Sequence, residues 1–190
     1  MNLYDDLPLA ERLMDLFLDA QLSIIESIRG MPIDFIMIAD DIAFSSGLIV
    51  SEGLLREIWI PRVAKLVAAA KSFGVPIEWH CCGKLDQVIP ILVDWGIDAI
   101  HPVQAACNDI YNIKKQWGEL ICLIGNINIG GVLAFGSPEE VEADSRQHIE
   151  LLSHNGGYVL ASSHSIVDAI PQQNFNAMIE TAVDYGKFIT

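Results

Sequence analysis

Residues 71–84 read Lys71-Ser-Phe-Gly74-Val-Pro76-Ile-Glu-Trp-His80-Cys-Cys82-Gly-Lys84, and this run decides the fold class. A helical stretch ends at a glycine, and a brief apolar segment follows that carries polar groups at its far end. The same pattern recurs along the chain. Gly30, Gly96, Gly118 and Gly156 also close helix-like stretches and precede short apolar runs. Besides 76–82, those runs are Asp34-Phe-Ile-Met-Ile-Ala-Asp40, Ala99-Ile-His-Pro-Val-Gln104, Leu120-Ile-Cys-Leu-Ile-Gly-Asn126 and Tyr158-Val-Leu-Ala-Ser-Ser163. Short, apolar and rich in β-branched residues, they predict strands buried on both faces of a parallel sheet.

Helices fill the intervals. Residues 9–28 place Leu9, Leu13, Leu16, Phe17, Ala20, Ile24 and Ile28 on one stripe, with Asp6 as the cap and Pro8 in the first turn. Ser51 caps a long segment reaching Phe73, which Pro61 should kink or split. Ser137-Pro-Glu-Glu140 is a capping box, and residues 172–185 form a last amphipathic helix. One helix followed by five βα units predicts an α/β fold with a parallel sheet. Two architectures fit that order. A doubly wound sheet normally carries a glycine-rich phosphate turn after its first strand, where this chain has Asp40-Asp41-Ile-Ala-Phe. Gly125-Asn-Ile-Asn-Ile-Gly130-Gly131 lacks the Lys-Ser/Thr of a phosphate loop. A (β/α)8 barrel typically needs about 250 residues, more than the 190 here.

Composition narrows the function classes. The 190 residues predict one domain, able to bury roughly 70% of the unfolded surface without disulfides. Twenty-five Asp+Glu against 11 Lys+Arg give a net charge of -14, which disfavours nucleic acid or an anionic membrane as partner. A hydrophobic content of 52% excludes a disordered acidic chain. The N-terminal residues lack the basic start of a signal peptide, and the four irregularly placed cysteines read as reduced thiols, so a cytoplasmic protein is expected.

In parallel βα folds the chemistry gathers where strands end. Those positions hold Asp40 and Asp41, His80 and Cys82, Gln104, Asn126, and His164. On a strand His80 and Cys82 share one face and Cys81 takes the other. Imidazole and thiolate two residues apart suit a tetrahedral Zn2+, with His164 as the third candidate ligand. The plainer reading is a hydrogen-bonded histidine beside an inert thiol. Glu78 lies deeper on the same face, Cys107 follows the third strand, and Cys122 reads as core. Asp40 or Asp41 could orient a substrate or move a proton, or simply cap a turn. Gln104 and Asn126 could bind a polar ligand or satisfy backbone. His101 reads as a packing residue, and His148 and His154 as surface residues.

Five of these segments also carry a family resemblance. Ala39-Asp40-Asp41-Ile42, Pro76-Ile-Glu-Trp-His80-Cys-Cys82-Gly83-Lys84, His101-Pro102-Val103-Gln104, Gly125-Asn126-Ile-Asn128, and Leu160-Ala-Ser-Ser-His164 with Ile170-Pro-Gln-Gln-Asn174 stand in order along most of the chain. Together they resemble the C-terminal part of the uroporphyrinogen decarboxylase superfamily, which includes corrinoid-dependent, methylcobalamin:coenzyme M-type methyltransferases. The resemblance implies about five strands of a TIM-type (β/α)8 barrel over residues 1–190, without the N-terminal strands. In the methyltransferase branch a His-x-Cys pair and a distal Cys hold zinc. His80 and Cys82 match the pair and His164 stands at the distal position. That implies Zn2+ on His80, Cys82 and His164, a thiol acceptor, and a corrinoid donor on a partner protein. Asp40 and His164 would be catalytic, and Asp41, Gln104 and Asn126 would bind substrate. The alternatives are porphyrinogen decarboxylation, for which Lys84 is the one basic residue near a strand end, or an inactive half-barrel. Open sheet edges would be covered in a homo-oligomer or by a complementing N-terminal subunit.

Overall fold

Asp6 accepts a hydrogen bond from the Leu9 amide at 3.0 Å, and with Pro8 in the first turn it starts helix α1 (Leu7–Ser27). The computed structural model describes residues 3–186, in two compact units: residues 3–36 with 48–77, and residues 37–47 with 78–186. The first unit pairs α1 with a helical run begun by Ser51, whose hydroxyl accepts from the Leu54 amide. That run comprises α2 (Glu52–Leu54), a π turn at Leu55–Trp59, and α3 (Ile60–Lys71). The split expected around Pro61 is this π turn, just before the proline. The Ile60 amide reaches five residues back to the Leu55 carbonyl, a wide turn that accommodates a proline lacking its own N–H. Arg62, 15% exposed, bridges Asp15 at 2.7 Å and Glu11 at 3.5 Å, tying α1 to α3. That hydrogen bond holds the Asp15 carboxyl below its usual range.

The sheet comprises β1 (Ile36–Ala39), β4 (Ile77–His80), β5 (Ala99–His101), β6 (Cys122–Ile127) and β7 (Tyr158–Ser162), in that spatial order. A small ribbon, β2 (Ala43–Phe44) with β3 (Gly47–Leu48), lies outside it. Strands β4 to β7 pair in parallel. Spatial order follows chain order throughout. A doubly wound sheet reverses its order at a switch point, whereas a barrel adds each strand beside the last, so this is barrel-type winding.

The expectation of strands buried on both faces is corrected. Trp79, Ile100 and Leu123 are fully enclosed on one face, and Trp79 packs 6.1 Å from the Trp95 ring. The opposite face carries Glu78, His80, Ala99, His101 and Cys122, all only partly buried, with Met37 56% and Val159 49% exposed. Burial alternates in phase across the strands, as it does where one face packs on helices and the other lines a barrel interior. Cys122, expected in the core, sits on this second face.

Helices α4 (Ile89–Asp94), α5 (Ile110–Trp117), α6 (Val132–Phe135), α7 (Pro138–Leu152) and α8 (Gln172–Tyr185) complete the second unit. The capping box at Ser137 and Glu140 forms as read, and Asp109 caps α5. Ile127, Leu133, Val141, Ile170 and Met178 make one core cluster here. Gly30, Gly74, Gly96 and Gly156 take positive φ after their helices, but Gly118 stays right-handed at φ -64. The chain turns one step later there, through Leu120 and Ile121 amides bonded to the Trp117 carbonyl. Among the described residues no helix is long and apolar enough to cross a membrane.

Candidate metal centre

The register of β4 and β5 sets the centre of the site. His80 and His101 are directly paired across parallel strands, so both rings project from the same, partly open face. Their Nδ1 atoms lie 2.8 Å apart, with ring centroids at 4.9 Å. Such a pair shares one proton, one ring donating and the other accepting. Burial first, then the neighbouring His80 and His164, pulls His101 down to about 4, so it is neutral at physiological pH.

The other ring nitrogen of His80, Nε2, lies 3.6 Å from Cys82 Sγ. Zinc holding an imidazole nitrogen at about 2.05 Å and a thiolate at about 2.3 Å in tetrahedral geometry sets those donors about 3.6 Å apart. Asp41 joins them: one ligand atom each from Asp41, His80 and Cys82 lie within 4.8 Å of one another. In donor chemistry this nitrogen, sulfur and oxygen set suits zinc, held in a loose grouping. Without a cation the thiol and imidazole hydrogen-bond to each other. Burial, and next the Asp41 carboxylate, pushes the Cys82 thiol up. Cys81 faces the other way, fully enclosed, and burial pushes its thiol up to about 11, leaving it an inert packing group.

The loop beneath these ligands is held at several points. The Asp41 carboxylate accepts from the Cys82 amide at 2.7 Å. Gln104 Oε1 accepts from the Gly83 amide at 3.0 Å. Asn108 accepts from the Leu85 amide at 2.9 Å and donates to the Gly83 carbonyl at 2.8 Å. The Lys84 amide donates to the Phe44 carbonyl at 2.9 Å. Gly83, at φ +91, passes so close to the β2 backbone that a Cβ there would lie 2.5 Å from the Ala43 oxygen.

The other strand-end residues divide. Asp40 continues the sheet through its amide to the His80 carbonyl at 3.0 Å and stays half-buried. His164 is exposed after β7, its carbonyl accepting from the Ser162 hydroxyl, and stands outside the three-ligand group. Asn126, 3% exposed, has both ends of its amide engaged inside the protein. It donates to the Val103 carbonyl at 2.7 Å and its oxygen lies 3.0 Å from His148 Nε2. His148 is thus buried, which corrects its reading as a surface residue, while His154 is exposed as read. The signal was present in α7: Val141, Ser145, His148, Ile149 and Leu152 form one inward stripe. Sequence reasoning also missed Asn108 and the engagement of His101, for which the equal placement of two histidines near neighbouring strand ends was the available clue.

The family described as Uroporphyrinogen decarboxylase (URO-D) matches over residues 1–185. The chain belongs to the URO-D family. Within it, the chain is 28% identical over 186 residues to "Methylcobamide:CoM methyltransferase MtbA" of Methanosarcina mazei. That match covers 97% of this chain and 52% of the relative, so the URO-D chain spans about half the relative's length. Among solved structures it is similar to a methyltransferase from Methanosarcina mazei, with a TM-score of 0.75 at 21% identity. The similarity covers 95% of this chain and 51% of that one, which identifies the fold as part of a TIM-type barrel.

Proposed function

We propose that this URO-D family chain is the zinc-holding part of a methyltransferase acting on a small thiol, with Asp41, His80 and Cys82 as the metal ligands. The 3.6 Å between His80 Nε2 and Cys82 Sγ, with Asp41 alongside, carries the proposal. When bound, zinc supplies a Lewis-acid centre that lowers the pKa of a coordinated thiol. To hold the metal, Cys82 would bind as thiolate with its proton released to solvent, and the Asp41 carboxylate, already on the Cys82 amide, would offset metal charge. Gln104 and Asn108 hold the 83–85 loop so that Cys82 keeps its place. Exposed Asp41 leaves a side of the centre open to a small molecule. His164 and Asp40, at the ends of β7 and β1, are the groups we assign to proton handling around it. A corrinoid methyl donor is part of the reading because the similar MtbA is named a methylcobamide enzyme. Lys84, the basic residue near a strand end, is ion-paired with Asp86 at 3.2 Å, which does not favour a site for the several carboxylates of a porphyrinogen.

Metal analysis of the purified protein tests the reading. About one zinc per chain is expected, lost in His80→Ala and in Cys82→Ser. Zinc absent from the parent protein, or retained unchanged in Cys82→Ser, would sink it, as would turnover of uroporphyrinogen. The reading includes a covering polypeptide for the open sheet face bearing Met37 and Val159. Alone, the chain is expected to sediment as a dimer or larger species at micromolar concentration. A single well-folded monomer would overturn that part.

A further inference from the structure

We infer that His101 is a positioning residue for the site: its Nδ1 accepts the proton of His80 Nδ1, turning the His80 Nε2 lone pair toward Cys82. The inference rests on the metal-centre reading and goes beyond it, since His101 lies outside the ligand group.

Three observations carry it. The parallel register sets the two histidines opposite one another on adjacent strands, so their contact is fixed by the sheet rather than by a loop. The 2.8 Å between the Nδ1 atoms leaves room for one hydrogen, so the protonation of one ring dictates the role of the other. The 3.6 Å contact between His80 Nε2 and Cys82 Sγ closes the chain at its far end. Either ring can donate across the Nδ1 contact. The arrangement in which His80 Nδ1–H donates to His101 is the one that leaves Nε2 free to present a lone pair to a cation, because the outer N–H of a ligating histidine needs an acceptor. His101 Nδ1, 2.8 Å away on the neighbouring strand, is that acceptor. The packed rings, 4.9 Å apart, hold the His80 plane as well as its proton.

Substitution and spectroscopy test this together. His101→Leu removes the acceptor and is expected to weaken zinc binding about 10–100-fold in a chelator competition. His101→Asn, whose side-chain oxygen can stand near the lost Nδ1, is expected to restore most of that loss. Zinc bound by His101→Leu as tightly as by the parent, or no recovery in His101→Asn, would overturn the positioning role. Long-range 1H–15N correlation on the metal-free parent protein provides the second measurement and needs no variant to fold. It should show His80 protonated at Nδ1, and a dominant Nε2–H form would overturn the inference. A parent protein that binds no zinc but shows the Nδ1–H form would defeat the metal reading and leave the His80–His101 arrangement standing.

Discussion

Gly83→Ala is expected to destabilise the protein by about 2–5 kcal/mol, seen as a lower midpoint in chemical denaturation. Two separate costs meet at this position. At φ +91 the backbone occupies a region that an L side chain rarely adopts. The new Cβ would also lie 2.5 Å from the Ala43 oxygen and 2.8 Å from the Phe44 oxygen. Both neighbours are backbone in the small ribbon, which the Lys84 amide already clasps, so neither can rotate aside. Gly156→Ala separates the two costs, because Gly156 has φ +76 but nothing within 4 Å of the added carbon. Its loss should stay near about 1 kcal/mol. If the two variants lose the same stability, the close approach at Gly83 contributes nothing. Since Gly83 follows Cys82 directly, the alanine variant should bind zinc more weakly even where it remains folded.

Asn126→Ala is expected to lose about 3–5 kcal/mol, because one buried amide serves two elements. Truncation strands the Val103 carbonyl after β5 and the His148 ring on α7, both on buried residues. The loss should be shared rather than additive. His148→Leu breaks one of the same bonds, so Asn126→Ala with His148→Leu should cost clearly less than the two single losses summed. A single-variant loss under about 1 kcal/mol in equilibrium denaturation would show that the tie is not structural.

What the sequence disclosed follows from which physics is local. Strand cores at 36–39, 77–80 and 158–162 were legible because apolar runs between glycines admit few other conformations. The caps at Asp6, Ser51 and Ser137 were legible for the same reason, as each is decided within four residues. His80 and Cys82 on one face, with Cys81 on the other, needed only the period of a strand. The rest depended on longer-range geometry. Asp41 stands beside His80 and Cys82 because the path of the chain between β1 and β2 brings it to the Cys82 amide, and no spacing rule encodes that path. The partner of His80 depended on strand register, which is a relation between two segments. Gly118 looked like its four counterparts, yet the next two residues supplied the turn instead.

The strand order has a constructional meaning. With β1, β4, β5, β6 and β7 set side by side in chain order, the fold is assembled like the staves of a cask. Neighbouring staves turn the same alternate positions to the more open face, and β4 and β5 bring His80 and His101 together there. The chemistry of such a vessel can be altered one stave at a time: His101 on β5 tunes His80 on β4 without either strand changing its packing against the outer helices.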